Sequence, residues 1–133
     1  MTIEPQVKQA LLAAAQQVCD KAYAPFSGFA VGAALLSAQG NIFTGCNVEN
    51  SSYGLTICAE RAAIATAIAT EGGEHFKLRA IAIVNASATA CSPCGACRQV
   101  LLEFGPDAVV WFQNERGWAE ATVAALLPQG FRW

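Results

Sequence analysis

Phe29-Ala-Val-Gly-Ala-Ala-Leu-Leu-Ser37 and Asn41-Ile-Phe-Thr-Gly-Cys46 are two short apolar runs separated only by Ala38-Gln39-Gly40. That connection has the length and the glycine of a hairpin loop, so the stretch predicts two adjacent antiparallel strands. Upstream, Pro5 suits a first helical turn. Val7, Leu11, Leu12, Ala15, Val18, Cys19 and Ala22 then recur at three- and four-residue spacing, which predicts an amphipathic helix ending near Ala22. Downstream, Asn47 to Leu55 is polar and reads as a loop. Thr56 can cap a helix from about Ile57 to Thr70, closed by Gly72-Gly73. This alanine-rich helix is apolar nearly all round and is expected beneath a sheet rather than on the surface. Leu78 to Val84 reads as a buried strand, and Ser92-Pro93 as a cap followed by proline at the first position of a helix reaching about Phe104. Ala108 to Phe112 and Ala119 to Val123 are further strands, the second returning through a turn at Gly117, and a closing turn of helix ends at Pro128. The order implies an α/β fold: a three-layer α/β/α sandwich around one mixed five-stranded sheet.

At 133 residues the chain has the size of one domain, expected to span 1–133. With 54% hydrophobic and 14% charged residues it can bury enough apolar surface to offset its ordering entropy. Eight basic against ten acidic side chains give a net charge of −2, without the positive footprint that binding a phosphate backbone requires. Nucleic acid is therefore not an expected partner. The longest apolar or glycine stretch, Gly28 to Leu36, is far short of the roughly 18 to 20 residues that cross a bilayer. The N-terminus lacks the basic and continuous apolar regions of a signal peptide. A cytoplasmic location follows as the expectation, with thiols kept reduced.

The six cysteines then read as free thiols or metal ligands. Cys19 and Cys46 fall on apolar positions and read as small core residues. Cys94 and Cys97 lie in Pro93-Cys-Gly-Ala-Cys-Arg98 at the start of a helix, where their spacing turns both sulfurs toward one ion, although a redox pair or two core cysteines would look the same. Cys58, in Thr56-Ile-Cys-Ala-Glu60-Arg61, also begins a helix. If the two helix N-termini face one spot, their partial positive charge favours thiolates, and three thiolates with an open fourth position make a catalytic kind of zinc site. Glu60 then stands close to the metal without having to bind it; alone it would read as a solvated helix charge. Arg61 is the nearest fixed cation to withdraw charge from the sulfurs. Arg98 is a second candidate with a structural reading. Cys91 has no ligand position left to fill. His75, the only histidine, is far from every motif and reads as a surface residue. Asn47 and Glu49, two apart beyond a strand, read either as loop polarity or as an amide and a carboxylate offered to a sugar diol.

Cys58-Ala59-Glu60 followed by Pro93-Cys94-Gly95-Ala96-Cys97 is similar to the signature of zinc-dependent nucleobase deaminases. In its all-cysteine form it closely resembles the small cytidine deaminases that assemble as homotetramers. The resemblance extends through Phe26-Ser27-Gly28-Phe29-Ala30-Val31-Gly32-Ala33-Ala34-Leu35, Gly45-Cys46-Asn47-Val48-Glu49-Asn50, Arg61, Arg98-Gln99 and the terminal Leu126-Leu127-Pro128-Gln129-Gly130-Phe131, five blocks in the family's order. It implies a cytidine deaminase-like fold, one Zn²⁺ per subunit held by Cys58, Cys94 and Cys97, and conversion of cytidine and deoxycytidine to uridine and deoxyuridine in pyrimidine salvage. Glu60 is implied as the proton shuttle and Arg61 as the partner of the thiolates. Asn47 and Glu49 are implied on the ribose, Phe29 and the backbone of Ala59 against the base, and backbone near Cys91 to Pro93 at the departing amine. The resemblance further implies that Phe131 closes a neighbouring subunit's site, so that active sites are shared in the tetramer. Phe26 stands where the family commonly carries tyrosine, which removes a hydroxyl and leaves its role open; Tyr53 reads as a structural or intersubunit residue.

A deaminase of a modified nucleoside such as blasticidin shares the zinc signature, but Asn47, Glu49 and the Phe26 to Leu35 block favour cytidine. An editing deaminase would need a basic strand-binding surface. The alternative of a different class is a non-catalytic zinc-stabilised domain in which Glu60 is incidental.

Overall fold

β1 (Val31–Ser37) is buried at every position but its first, as an apolar run without alternation requires of a strand flanked on both edges and covered on both faces. In this computed structural model, which describes residues 2–133, β1 pairs antiparallel with β2 (Ile42–Cys46) on one side and with β3 (Leu78–Asn85) on the other. β3 then pairs parallel with β4 (Val109–Asn114), and β4 pairs antiparallel with β5 (Gly117–Thr122), giving the order β2-β1-β3-β4-β5. The parallel pair needs a crossover, which α3 (Gly95–Phe104) supplies.

Successive strand residues point to opposite faces, and each face has its own core. On one, α1 (Pro5–Cys19) lays Leu11, Ala15 and Cys19 against Ala34, Leu36, Ala80, Ala82, Val84 and Trp111. On the other, α2 (Ala59–Glu71), α3 and α4 (Val123–Leu126) cover Ala33, Leu35, Ile81, Ile83, Val110 and Phe112. The expected three-layer α/β/α sandwich with a mixed five-stranded sheet is what the chain forms. Two glycines set how closely the layers approach. A Cβ at Gly32 would lie 2.1 Å from the Ala15 carbonyl oxygen of α1, and one at Gly45 would lie 2.4 Å from the Ala63 nitrogen of α2. Each helix therefore rests directly on strand backbone, α2 by its first turns over Gly45.

Several boundaries differ from the sequence reading. α1 stops at Cys19 rather than near Ala22, because the backbone of Tyr23 is taken by a bridge to Val48, with its N–H on the Asn47 carbonyl at 3.0 Å. β5 begins at Gly117 rather than Ala119, and the turn before it is Glu115-Arg116. α2 buries one face only; Ala65, Thr66, Ala69 and Thr70 are exposed. Thr66 and Thr70 donate their hydroxyls back to carbonyls four residues earlier, which lets polar side chains sit on this surface. Cys46 is half-buried, whereas Cys19 is in the core as expected. Among the described residues, no helix is long and apolar enough to cross a membrane.

Val31 pairs with Asn85 and Gly32 with Cys46. The start of β1 and the ends of β2, β3 and its parallel neighbour β4 therefore share one end of the sheet. Ligands of open α/β sheets bind outside the carboxyl ends of the parallel strands, and that is where α2 and α3 begin.

Candidate active site

Cys58 and Cys94 are the N-cap residues of α2 and α3, both with extended backbone. The sequence placed the caps at Thr56 and Ser92. A cysteine sulfur serves instead: Cys94 Sγ accepts the N–H of Cys97 at 3.4 Å, and both caps sit where unpaired helical N–H groups and the helix dipole favour a thiolate. Cys97, one turn into α3, is fully buried. The sulfurs of Cys58, Cys94 and Cys97 all lie within 4.8 Å of one another. One zinc ion with Zn–S bonds of about 2.3 Å fits such a cluster with little movement, and three sulfurs leave a fourth tetrahedral position open.

The charges around the sulfurs agree with a cation site. The neighbouring Cys97 thiol and Arg61 pull the Cys58 thiol down to about 5, while the Cys97 thiol holds its proton more firmly beside it. A cation entering the cluster displaces the protons that its thiols still hold. Arg61 Nη2 donates to Cys58 Sγ at 3.4 Å, which raises the guanidinium's own affinity for its proton. The Arg61 Nε, although buried, has no partner among the described residues.

Glu60 follows in the first turn of α2 and is 5% exposed. Burial pushes its carboxyl above the ordinary range, and the neighbouring Cys58 thiolate adds to the shift. Glu60 lines a cleft of about 260 Å³ together with Cys58, Cys94, Phe29, Asn47, Glu49 and Ala59. Cys91, Ser92, Val31 and Ile83 complete much of its wall. The reading from sequence did not mark Val31 or Ile83, which resemble any other strand residue until the register brings them to this end of the sheet.

Asn47 and Glu49 reach the cleft already engaged. Asn47, 8% exposed, donates Nδ2 to the Phe29 carbonyl at 2.8 Å and accepts the Val31 N–H on Oδ1 at 2.9 Å. One N–H of its amide remains. Glu49 accepts the N–H groups of Phe26 and Ser27 on Oε1 and the Ser27 hydroxyl on Oε2. The Ser27 hydroxyl holds the Glu49 carboxyl below the usual carboxylate range.

Phe131 lines neither this cleft nor the sulfur cluster beside it. The residue is 65% exposed, and its ring lies edge-on to Trp133. Its backbone is nonetheless fixed: Gln99 accepts the Phe131 N–H on Oε1 at 3.0 Å and donates Nε2 to the Phe131 carbonyl at 2.9 Å. Arg98 donates to the carbonyls of Pro93 and Leu126 and to the Ser92 hydroxyl, which makes it a structural tie between α3 and the C-terminal tail rather than a partner of the thiolates. Cys91 lines the cleft outside the three-sulfur cluster, and burial raises its thiol. Phe26 and Tyr53 meet edge to face at 5.7 Å on the outer rim, and His75 is exposed.

The sequence profile of the family described as the cytidine and deoxycytidylate deaminase zinc-binding region matches residues 5–113. A cytidine deaminase of Sporosarcina psychrophila is 46% identical over 123 residues, covering 91% of this chain and 88% of that protein. One of Halalkalibacterium halodurans is 46% identical over 126 residues, covering 93% of each. The crystal structure of cytidine deaminase from Burkholderia pseudomallei superposes with a TM-score of 0.81 at 45% identity, covering 92% of this chain and 98% of that one.

Proposed function

The chain belongs to the cytidine and deoxycytidylate deaminase family, and from that premise we propose that it hydrolyses cytidine and deoxycytidine to uridine and deoxyuridine with release of ammonia. The observation that carries the reading is the buried Glu60 carboxyl sharing one cleft with the three-cysteine cluster. Cys58, Cys94 and Cys97 would hold zinc, whose Lewis acidity makes water a nucleophile at neutral pH when the ion is bound.

Glu60 takes a proton from the attacking water and delivers it to the ring nitrogen beside C4. As the C4–O bond forms and the C4–N bond breaks, the same carboxyl passes the second proton to the departing amine, so one water is consumed and one ammonia leaves. Its raised proton affinity suits a group that must both accept and donate near neutrality. Burial keeps bulk water from competing for the transferred proton. Arg61 draws charge from Cys58, which offsets the excess negative charge of three thiolates. Phe29 stacks on the pyrimidine, the Ala59 backbone borders the base, and Asn47 and Glu49 receive the ribose hydroxyls. A carboxylate there also repels a 5′-phosphate, which favours free nucleosides and a place in pyrimidine salvage.

The assembly that suits this chain is a homotetramer with shared sites. Tyr53, Leu55, Phe131 and Trp133 are large apolar residues left mostly exposed, which supports contact with further copies. The exposed ring of Phe131, carried on a fixed backbone, supports its closing a neighbour's cleft.

The test follows cytidine absorbance and ammonia together, with zinc-loaded protein and with protein stripped by a chelator. Equal molar loss of cytidine and gain of ammonia in the zinc-loaded sample alone is expected. A zinc-loaded protein that turns over neither cytidine nor deoxycytidine overturns the reading.

A further inference from the structure

Three of the roughly four lone-pair positions on the Glu49 carboxylate are filled from within the chain. Oε1 takes the N–H groups of Phe26 at 2.9 Å and Ser27 at 3.1 Å, and Oε2 takes the Ser27 hydroxyl. A sugar hydroxyl can therefore be received only at Oε2, the oxygen whose orientation Ser27 sets. The same Ser27 oxygen accepts the N–H of Phe29 at 3.0 Å. Phe29 is thus held at its N–H by Ser27 and at its carbonyl by Asn47.

We propose that Ser27 is a positioning residue for nucleoside recognition, whose hydroxyl fixes Glu49 Oε2 toward the ribose and ties it to the backbone that carries the base-stacking ring of Phe29. This rests on the reading of Glu49 as the ribose-binding group. Ser27 has one hydroxyl hydrogen, and it is committed to Glu49, so the residue acts through the carboxylate and not as a donor to substrate. Without the hydroxyl, Oε2 is free to rotate toward water and the Phe29 N–H loses its acceptor. The consequence falls on substrate binding, because neither the cysteine cluster nor Glu60 hydrogen-bonds to Ser27.

The experiment compares zinc-loaded wild type with Ser27→Ala, Ser27→Thr, Glu49→Gln and the double variant Ser27→Ala/Glu49→Gln, measuring kcat and KM for cytidine, zinc content and melting temperature. Ser27→Ala is expected to keep full zinc and a kcat within about twofold while raising KM about tenfold, the scale of one lost charge-assisted hydrogen bond. Ser27→Thr, which keeps the hydroxyl, should recover most of the loss. The double variant should lose less than the product of the two single penalties, since the share of the Ser27→Ala loss that acts through Glu49 has nothing left to position and only the share through the Phe29 N–H remains. Penalties that multiply in the double variant, or a Ser27→Ala loss confined to kcat, overturn the proposal. An active wild type with an unchanged KM in Ser27→Ala overturns it alone, whereas an inactive wild type overturns the deaminase reading and this proposal with it.

Discussion

Arg61 Nη2 lies 3.4 Å from the Sγ of Cys58, one helical turn back along α2, so the residue that caps the helix and the cation that stabilises its thiolate are fixed by the same backbone. Replacing Arg61 by Gln removes the fixed charge while keeping length and polarity. Zinc affinity or activity is expected to fall about 10- to 100-fold, as for other groups that orient metal ligands. Competition with a calibrated chelator measures the first, and the cytidine assay the second. A variant that matches wild type in both would make Arg61 a bystander.

Glu60→Gln should keep one zinc per chain and lose about 10² to 10⁴ in kcat. It should also gain stability, with a definite sign in pH. A buried carboxyl whose folded pKa is raised above its unfolded value is easiest to keep neutral. Stability is thus lost as pH rises from about 4.3 through the folded value. Glutamine carries no such cost. The melting temperature of the chelator-stripped variant should exceed that of stripped wild type at about pH 8, and the gap should narrow toward about pH 5; a gap that widens on acidification refutes the assignment.

Cys91 and Cys94 are three positions apart, yet only Cys94 belongs to the sulfur cluster. Cys91→Ala should retain zinc, and Cys94→Ala should lose it together with a large part of its thermal stability, because metal binding and folding are linked. Metal analysis after extensive dialysis decides between them, and zinc loss from Cys91→Ala would redraw the ligand set.

Gly45→Ala tests whether the layer spacing governs the site. Its Cβ would meet Ala63 N at 2.4 Å and Ala59 O at 2.6 Å, so α2 must shift. A destabilisation of about 1 to 3 kcal/mol is expected with weakened zinc binding, since Cys58 moves with the helix. Gly73→Ala, where the nearest atom is an ordinary 3.8 Å away, is the control and should change neither. Chemical denaturation with parallel zinc analysis reads both.

A shared site predicts complementation. Glu60→Ala subunits keep Phe131 but have a dead centre, and Phe131→Ala subunits keep the centre but lack the donated ring. Unfolded and refolded together, they should exceed the mean activity of the separate preparations. A mixture that stays at that mean, with exchange confirmed by mass, would assign Phe131 to its own chain.

The hairpin from Phe29 to Cys46 and the two cysteine-bearing segments were legible because each is a local pattern: an unbroken apolar run, a short glycine connection, a fixed ligand spacing. The caps were misplaced by two residues at both helices, at Thr56 for Cys58 and at Ser92 for Cys94, since propensity ranks hydroxyl side chains above thiols. The double use of Asn47 was not legible either. Its amide bonds the backbone of Phe29 and Val31, residues 18 and 16 positions away, and nothing local in the sequence marks which backbone groups a hairpin and its following loop will bring within reach. For the same reason Ser27 and Gln99 carried no role in the sequence, although each holds a segment that the site depends on.

Arg98 fastens the end of α4, and Gln99 fastens Phe131, to the helix that Cys94 caps. With Cys94 and Cys97 as the proposed metal ligands, a bound ion would secure the start of that same helix, and its loss would loosen the anchor from which the tail hangs. The segment beyond α4 thereby becomes a gauge of metal loading. In a protein emptied of zinc, the peptide bonds around Arg132 should open to trypsin first. Clipping there would remove Trp133 before the core itself unfolds, and mass spectrometry of a cell extract could then read the occupied fraction without any catalytic assay.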